Sequence, residues 1–155
     1  GEAGLIRYRS PGVSDRFYND PEASREAFRD GWFYPGDIGK IDAAGLLYLV
    51  GRAKDVIIRN GVNIYPGEIE QVLLNHAAVR DAVAVAWAHA GRGEDVAVFI
   101  VTKEGTLEED LRDYCRENLA SYKVPSGIFF INELPKTALG KIVKADLVAR
   151  LGSNK

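Results

Sequence analysis

With 155 residues, 46% of them apolar and 27% charged, the chain has the size and composition of one ordinary domain, or of a small domain joined to part of another; disorder throughout is excluded. A net charge of −2, a pI near 5.7 and scattered Lys and Arg residues leave no basic footprint for a nucleic-acid groove. No apolar run approaches the roughly 18 residues of a membrane helix, Gly1-Glu2-Ala3-Gly4 lacks the pattern of a signal peptide, and the lone Cys115 cannot close an internal disulfide; the expected compartment is a reducing cytoplasm.

The first element is Leu5 to Arg9, where apolar and polar residues alternate as in a strand until Ser10-Pro11-Gly12 ends it. A strand so near the start, with no earlier partner, is expected to belong to a larger fold. Pro21 to Phe28 reads as a short helix capped by Asn19 or Asp20, with Pro21 at its first position. It leads into the aromatic run Trp32-Phe33-Tyr34 before Pro35-Gly36-Asp37, which by itself reads as the edge of a core. Ile38 to Ile41 and Leu46 to Val50 form a hairpin around Asp42-Ala43-Ala44-Gly45.

Gly51 to Glu70 packs unusual chemistry into a short stretch. Val56-Ile57-Ile58 is a β-branched strand, Asn60-Gly61 is suited to a tight turn, and Pro66 opens a helix running to about His76 with Glu68 and Glu70 in its first turn. Two apolar runs follow, Val79 to Trp87 and Asp95 to Lys103, joined by the Gly-containing stretch from His89 to Glu94. They read as central strands, with Val83, Val85, Val96, Val98 and Ile100 in the core. Thr106, with Glu109 three residues on, predicts a capping box for a helix whose face carries Leu107, Leu111, Tyr114, Asn118 and Leu119. Cys115 lies beside that face and is expected to be a buried structural thiol. Pro125 stops the segment, Gly127 to Asn132 is a further strand, and a last helix runs from about Val143 to Leu151. The order β, α, β, β, α, β, α predicts an α+β fold with a small mixed sheet and three helices.

Several candidate chemistries can be weighed on the residues alone. Gly140-Lys141 is no P-loop, because that motif needs glycine where Pro135 stands and Ser or Thr where Ile142 stands. Taken by itself Lys141 reads as a solvated loop lysine. The guanidinium fork of Arg52 suits ribose or phosphate oxygens, and equally an ion pair with Asp55 or Glu68. Asn60-Gly61 is equally readable as a plain hairpin turn. His76 and His89 lie too far apart, and too far from any Cys, to suggest a metal site.

Three stretches together resemble one family. Gly51-Arg52-Ala53-Lys54-Asp55 through Asn63-Ile64-Tyr65-Pro66-Gly67-Glu68-Ile69-Glu70, then Gly31-Trp32-Phe33 with Gly36-Asp37, then Pro135-Lys136-Thr137 with Gly140-Lys141-Ile142, are similar to motifs of the adenylate-forming superfamily. That superfamily includes acyl-CoA synthetases, luciferases and peptide-synthetase adenylation domains. The resemblance implies that residues 1–50 are the β-rich tail of a large nucleotide-binding N-terminal domain. Residues 51–155 are then the mobile C-terminal domain, with a hinge at about 52–55. It further implies that Asp37 holds the ribose of ATP or AMP, although Pro35 stands where many members have Thr. Arg52 contacts the nucleotide, Lys54 is the hinge residue, Asn60, Gly61 and Lys123 contact CoA, and Lys141 is catalytic. ATP with magnesium would be bound mostly by the large N-terminal domain, CoA would be a co-substrate, and no metal is held by this chain.

The loop Asn60 to Pro66 resembles that of acyl- or aryl-CoA ligases, for which the expected reaction joins a carboxylic acid to CoA through an acyl-adenylate. The 155 residues alone are expected to be inactive, since the Ser/Thr/Gly-rich phosphate loop and acyl pocket lie elsewhere. An acyl-AMP ligase, a luciferase-like enzyme, a peptide-synthetase adenylation domain, or a free-standing binding module remain open.

Overall fold

The computed structural model describes residues 1–89, 93–103 and 105–152. It divides after Lys54 into two compact units, Gly1–Lys54 and Asp55–Lys155.

In the first unit β1 (Gly4–Leu5) pairs antiparallel with β4 (Asp37–Ile41), which pairs in turn with β5 (Leu47–Arg52). Between β1 and β4 lie α1 (Pro21–Ala27) and the small hairpin of β2 (Phe28–Arg29) and β3 (Trp32–Phe33). The expected strand from Leu5 to Arg9 is shorter than its alternation implies, because the chain changes partner. Ile6 donates to the Asp37 carbonyl at 2.9 Å, while Tyr8 bridges to Phe33 instead. Asp20 caps α1 by accepting the Ala23 amide at 3.0 Å, and the helix ends one residue early because Phe28 is already extended. Phe17, Phe28, Phe33 and Tyr8 meet mostly edge to face, so Phe33 of the aromatic run joins a partly exposed aromatic cluster, while Trp32 stacks under the guanidinium groups of Arg7 and Arg9 and Tyr34 under that of Arg29.

A 3₁₀ turn, Ala53–Asp55, carries the chain across the division and leads into β6 (Ile57–Arg59), β7 (Val62–Ile64) and α2 (Pro66–Leu74) of the second unit. Then come β8 (Val79–His89), β9 (Gly93–Thr102), α3 (Glu108–Asn118), β10 (Gly127–Phe130) and α4 (Lys144–Gly152). Residues 90–92 of the expected connection between β8 and β9 lie outside the described residues. β9 is the spine. β8 pairs with it antiparallel from Val79 to His89, and on its other edge β10 runs parallel along Ala97–Ile100 while β6 meets it at Gly93.

Both faces of β9 are covered, which is why its sequence is continuously apolar. Val96, Val98 and Ile100 pack with Ile69, Leu73, Leu111 and Cys115 on the α2 and α3 side. Ala97, Phe99 and Val101 pack with Leu147 and Leu151 on the α4 side. All five expected core residues are buried.

The structure is thus the expected α+β fold, with three details corrected. β7 is an additional strand that the three-residue span Val62–Ile64 was too short to announce. Thr106 is not a cap: its hydroxyl turns back to donate to the Lys103 carbonyl at 2.9 Å, Leu107 takes the cap position without a side-chain bond, and Glu109 pairs with Arg116. Consequently Leu107 and Asn118 face solvent, and the buried face of α3 is Leu111 and Cys115, with Leu119 just past its end. α3 stops at Asn118 rather than near Pro125 because Leu119 is extended, with φ −125° and ψ 150°.

Candidate functional site

In the first unit the β4–β5 register places Asp37 directly opposite Arg52. Arg52 Nε pairs with Asp37 Oδ1 at 3.0 Å, so the partner of Arg52 is neither Asp55 nor Glu68. The two residues expected to face a nucleotide are thus brought together by pairing of strands fifteen positions apart in sequence (52 − 37). Asp37 is three-quarters buried and Arg52 mostly exposed, an arrangement in which the guanidinium orients the carboxylate and keeps further donors for a ligand. A cleft of about 620 Å³ runs alongside, lined by Arg29, Tyr34, Pro35, Gly36, Arg52 and Lys54 among others. Lys54 itself is exposed, in the middle of the 3₁₀ turn where the two units divide.

In the second unit Asn60 and Gly61 close the β6–β7 hairpin with φ of 51° and 78°. Two successive positive φ values make a type I′ turn, which Asn-Gly adopts with little steric cost. Lys123 lies in the 3₁₀ turn Ser121–Lys123, and its Nζ is clamped on Glu68 at 2.6 and 2.7 Å. Burial of its stem disfavours the charge, but the Glu68 carboxylate outweighs that and holds the ammonium above its usual pKa. Asn60-Gly61 and Lys123 belong to neighbouring loops, since Arg59 donates to the carbonyl of Tyr122 at 3.0 Å.

Lys141 stands on a tight hairpin-like loop. Lys136 bridges Ile142, the Thr137 amide donates to the Lys141 carbonyl at 2.8 Å, Lys141 donates back to Thr137 Oγ1 at 3.2 Å, and Val143 donates to Pro135 at 2.9 Å. Its backbone is therefore pinned while its side chain is exposed, and among the described residues the ammonium has no hydrogen-bond or ion-pair partner. Three residues on, Lys144 Nζ reaches Glu70 at 3.3 Å, the Ala84 carbonyl at 3.2 Å and Asp55 at 4.0 Å, which ties the base of this loop to α2 and β8.

Residue-by-residue reading missed the buried Asp95, together with Arg59 and Arg112, which hold the 121–126 segment from distant parts of the chain. An acidic residue at the head of the apolar run of β9 was the available signal. Cys115 is fully buried and its thiol is pushed up to about 11 by desolvation. His76 packs edge-on against Tyr114 and accepts the Ala78 amide on Nδ1, a structural role. Among the described residues no three His, Cys, Asp or Glu side chains gather to hold a metal, and no helix is long and apolar enough to cross a membrane.

The α+β lobe has the fold of the C-terminal domain of adenylate-forming enzymes. Residues 68–141 match the family described as the AMP-binding enzyme C-terminal domain, and that stretch of the chain belongs to it. It is 41% identical over 148 residues to a 2-succinylbenzoate–CoA ligase of Geobacillus kaustophilus (strain HTA426), covering 94% of this chain and 30% of that protein. It is 42% identical over 149 residues to a long-chain-fatty-acid–CoA ligase of Bacillus subtilis (strain 168), covering 95% of this chain and 27% of the relative. Among solved structures, o-succinylbenzoate CoA synthetase from Bacillus subtilis, in complex with the acyl-adenylate intermediate OSB-AMP, superposes with a TM-score of 0.89 at 36% identity over 94% of this chain and 30% of that one. The chain therefore spans less than a third of the length of these relatives.

Proposed function

We propose that the chain is the C-terminal part of an ATP-dependent acyl-CoA synthetase, which joins a carboxylic acid to CoA by way of an acyl-adenylate and releases pyrophosphate and AMP. The observation that carries this reading is the Lys141 loop, where a pinned backbone offers a cation that has no partner among the described residues. In the first half-reaction a carboxylate oxygen attacks the α-phosphorus of ATP, and the bond to pyrophosphate breaks. Two anions approach one another, and negative charge accumulates on phosphate oxygens in the transition state. The ammonium of Lys141, with three donors, neutralises that charge and keeps the carboxylate in line.

Asp37, oriented by Arg52, is suited to accept hydrogen bonds from both ribose hydroxyls, and the Arg52 fork offers further donors to ribose or phosphate oxygens. In this reading residues 1–50 are the tail of the large nucleotide-binding domain, residues 51–155 swing about a hinge at 52–55 centred on Lys54, and CoA passes the Asn60-Gly61 turn and Lys123. ATP with magnesium is bound mostly by the remainder of the longer protein, in a cytoplasmic setting. The acid itself is left open: relatives of equal similarity are named for 2-succinylbenzoate and for long-chain fatty acids, so this segment does not set that choice, and a place in fatty acid metabolism is one option.

The test is to express the full reading frame and screen carboxylic acids for pyrophosphate release with and without CoA. Lys141→Ala should cost about 3 to 5 kcal/mol of transition-state stabilisation, lowering acyl-adenylate formation by roughly a hundredfold or more. CoA transfer from supplied acyl-adenylate should survive the change, and equal loss of both steps would remove the role assigned to Lys141.

A further inference from the structure

On the edge of β9 away from β8 the neighbour changes. β6 pairs at the start, through Arg59 and Gly93, and β10 takes over from Ala97 to Ile100. Asp95 lies in β9 between those pairings and is 1% exposed. The guanidinium of Arg59 fills the gap. Its Nε pairs with Asp95 Oδ1 at 3.2 Å, Nη1 donates to the carbonyls of Tyr122 and Val124 at 3.0 Å each, and Nη2 donates to Ser126 Oγ at 3.0 Å. Asp95 Oδ1 also accepts the Ser126 hydroxyl at 2.7 Å, and Arg112 takes the next carbonyl, that of Pro125, at 2.9 Å.

Arg59 is also the residue immediately before the Asn60-Gly61 turn. One planar fork therefore holds the root of that turn and the backbone of the 122–126 segment at a single spacing. Closing a sheet edge does not require this, because a buried ion pair gives no more stability than apolar residues of similar volume. What a guanidinium supplies, and apolar packing does not, is several donors in fixed directions aimed at carbonyls that no strand partner satisfies.

We propose that Arg59 is a positioning residue for the thioester-forming half-reaction: seated on Asp95, it presets the distance between the Asn60-Gly61 turn and the 122–126 segment, so that CoA meets two loops already in place. This rests on the reading above that both loops contact CoA. Lysine can replace the charge but not the fork, since its three donors radiate from one atom.

The test uses the full-length protein, with pyrophosphate release in the absence of CoA and thioester formation from supplied acyl-adenylate measured separately. Arg59→Lys, and the charge-balanced double variant Arg59→Gln with Asp95→Asn, should each raise the KM for CoA by about tenfold or more, because ordering the loops then falls to the binding step. Pyrophosphate release should stay within about twofold of the parent, as the adenylation machinery is untouched. The double variant leaves no buried unpaired charge, so it keeps the test valid if Arg59→Lys alone does not fold. Equal loss of both half-reactions, or an unchanged KM for CoA in a folded variant, overturns the proposal while leaving the ligase reading intact. A parent protein that forms acyl-adenylate but never consumes CoA refutes the coenzyme reading itself, and this proposal with it.

Discussion

Lys141 and Lys144, three residues apart, are treated in opposite ways by the fold. Lys144 is held by Glu70 and the Ala84 carbonyl, whereas the amine of Lys141 projects from a loop whose hydrogen bonds are all made by its backbone and Thr137. Composition cannot separate two such lysines; only the loop geometry does. Cys115 shows the same principle for a neutral group. Buried against Leu111 and the α2 core, its thiol is pushed up to about 11 from 9.0, chiefly by desolvation, with Arg112 opposing. Below pH 9 the thiol is protonated in both the folded and the unfolded chain and makes no contribution to the pH dependence. Between about 9 and about 11 the unfolded chain releases the proton and the folded chain does not, so stability falls as pH rises through that window. Cys115→Ala should remove that component of the slope, as read from urea midpoints at pH 8, 9.5 and 10.5. At pH 8 iodoacetamide should label Cys115 only at the rate of unfolding.

At the scale of elements, the Asn60-Gly61 turn shows how local chemistry fixes register. Gly61 has φ +78° with no heavy atom within 4 Å of where a Cβ would stand, so the obstacle to a side chain there is the backbone conformation and not space. Gly61→Ala should therefore cost about 1 kcal/mol, and Gly61→Val about 2, as shifts in denaturant midpoint without loss of the sheet. The free edge of β8 is handled by side chains. Glu70 accepts the Ala84 amide at 2.9 Å and Lys144 donates to the Ala84 carbonyl, which blunts an edge that would otherwise invite pairing with another chain.

These elements also show where sequence is sufficient. The β8–β9 pair, the α2 start at Pro66 and the five core residues follow from period and punctuation, because burial of both faces of β9 leaves a continuous apolar run in the sequence. The α3 start did not follow, since a Thr with Glu three residues on satisfies a capping pattern whether or not its hydroxyl turns toward the helix, and here it turns toward Lys103. The Asp37–Arg52 pair and the Arg59–Asp95 gap likewise depend on strand register, which no single stretch encodes.

For the molecule as a whole, the decisive physical contrast is between its two units. The second has cores on both faces of one sheet, while the β4–β5 hairpin of the first leaves Ile41, Leu46, Leu47 and Leu49 more than half exposed. Apolar surface of that extent fits the proposal that residues 1–50 belong to a larger domain. The link between the units is short, an exposed 3₁₀ turn with Lys54 at its centre, and such a segment can absorb a change in φ and ψ without breaking a core. If the lobe must present the Lys141 loop for adenylation and the Asn60-Gly61 face for thioester formation, a single backbone position that cannot turn will strand the enzyme in one of the two arrangements. Lys54→Pro fixes φ near −65° at that position. In the full-length protein this variant should lose one half-reaction by about tenfold or more while the other stays within about twofold, measured as pyrophosphate release without CoA and as thioester formation from supplied acyl-adenylate. Lys54→Ala, which keeps the torsional freedom, should leave both rates near those of the parent. Unchanged rates in the proline variant would mean that rotation takes place elsewhere in the chain, and equal loss of both would mean that proline has damaged the fold and not the hinge.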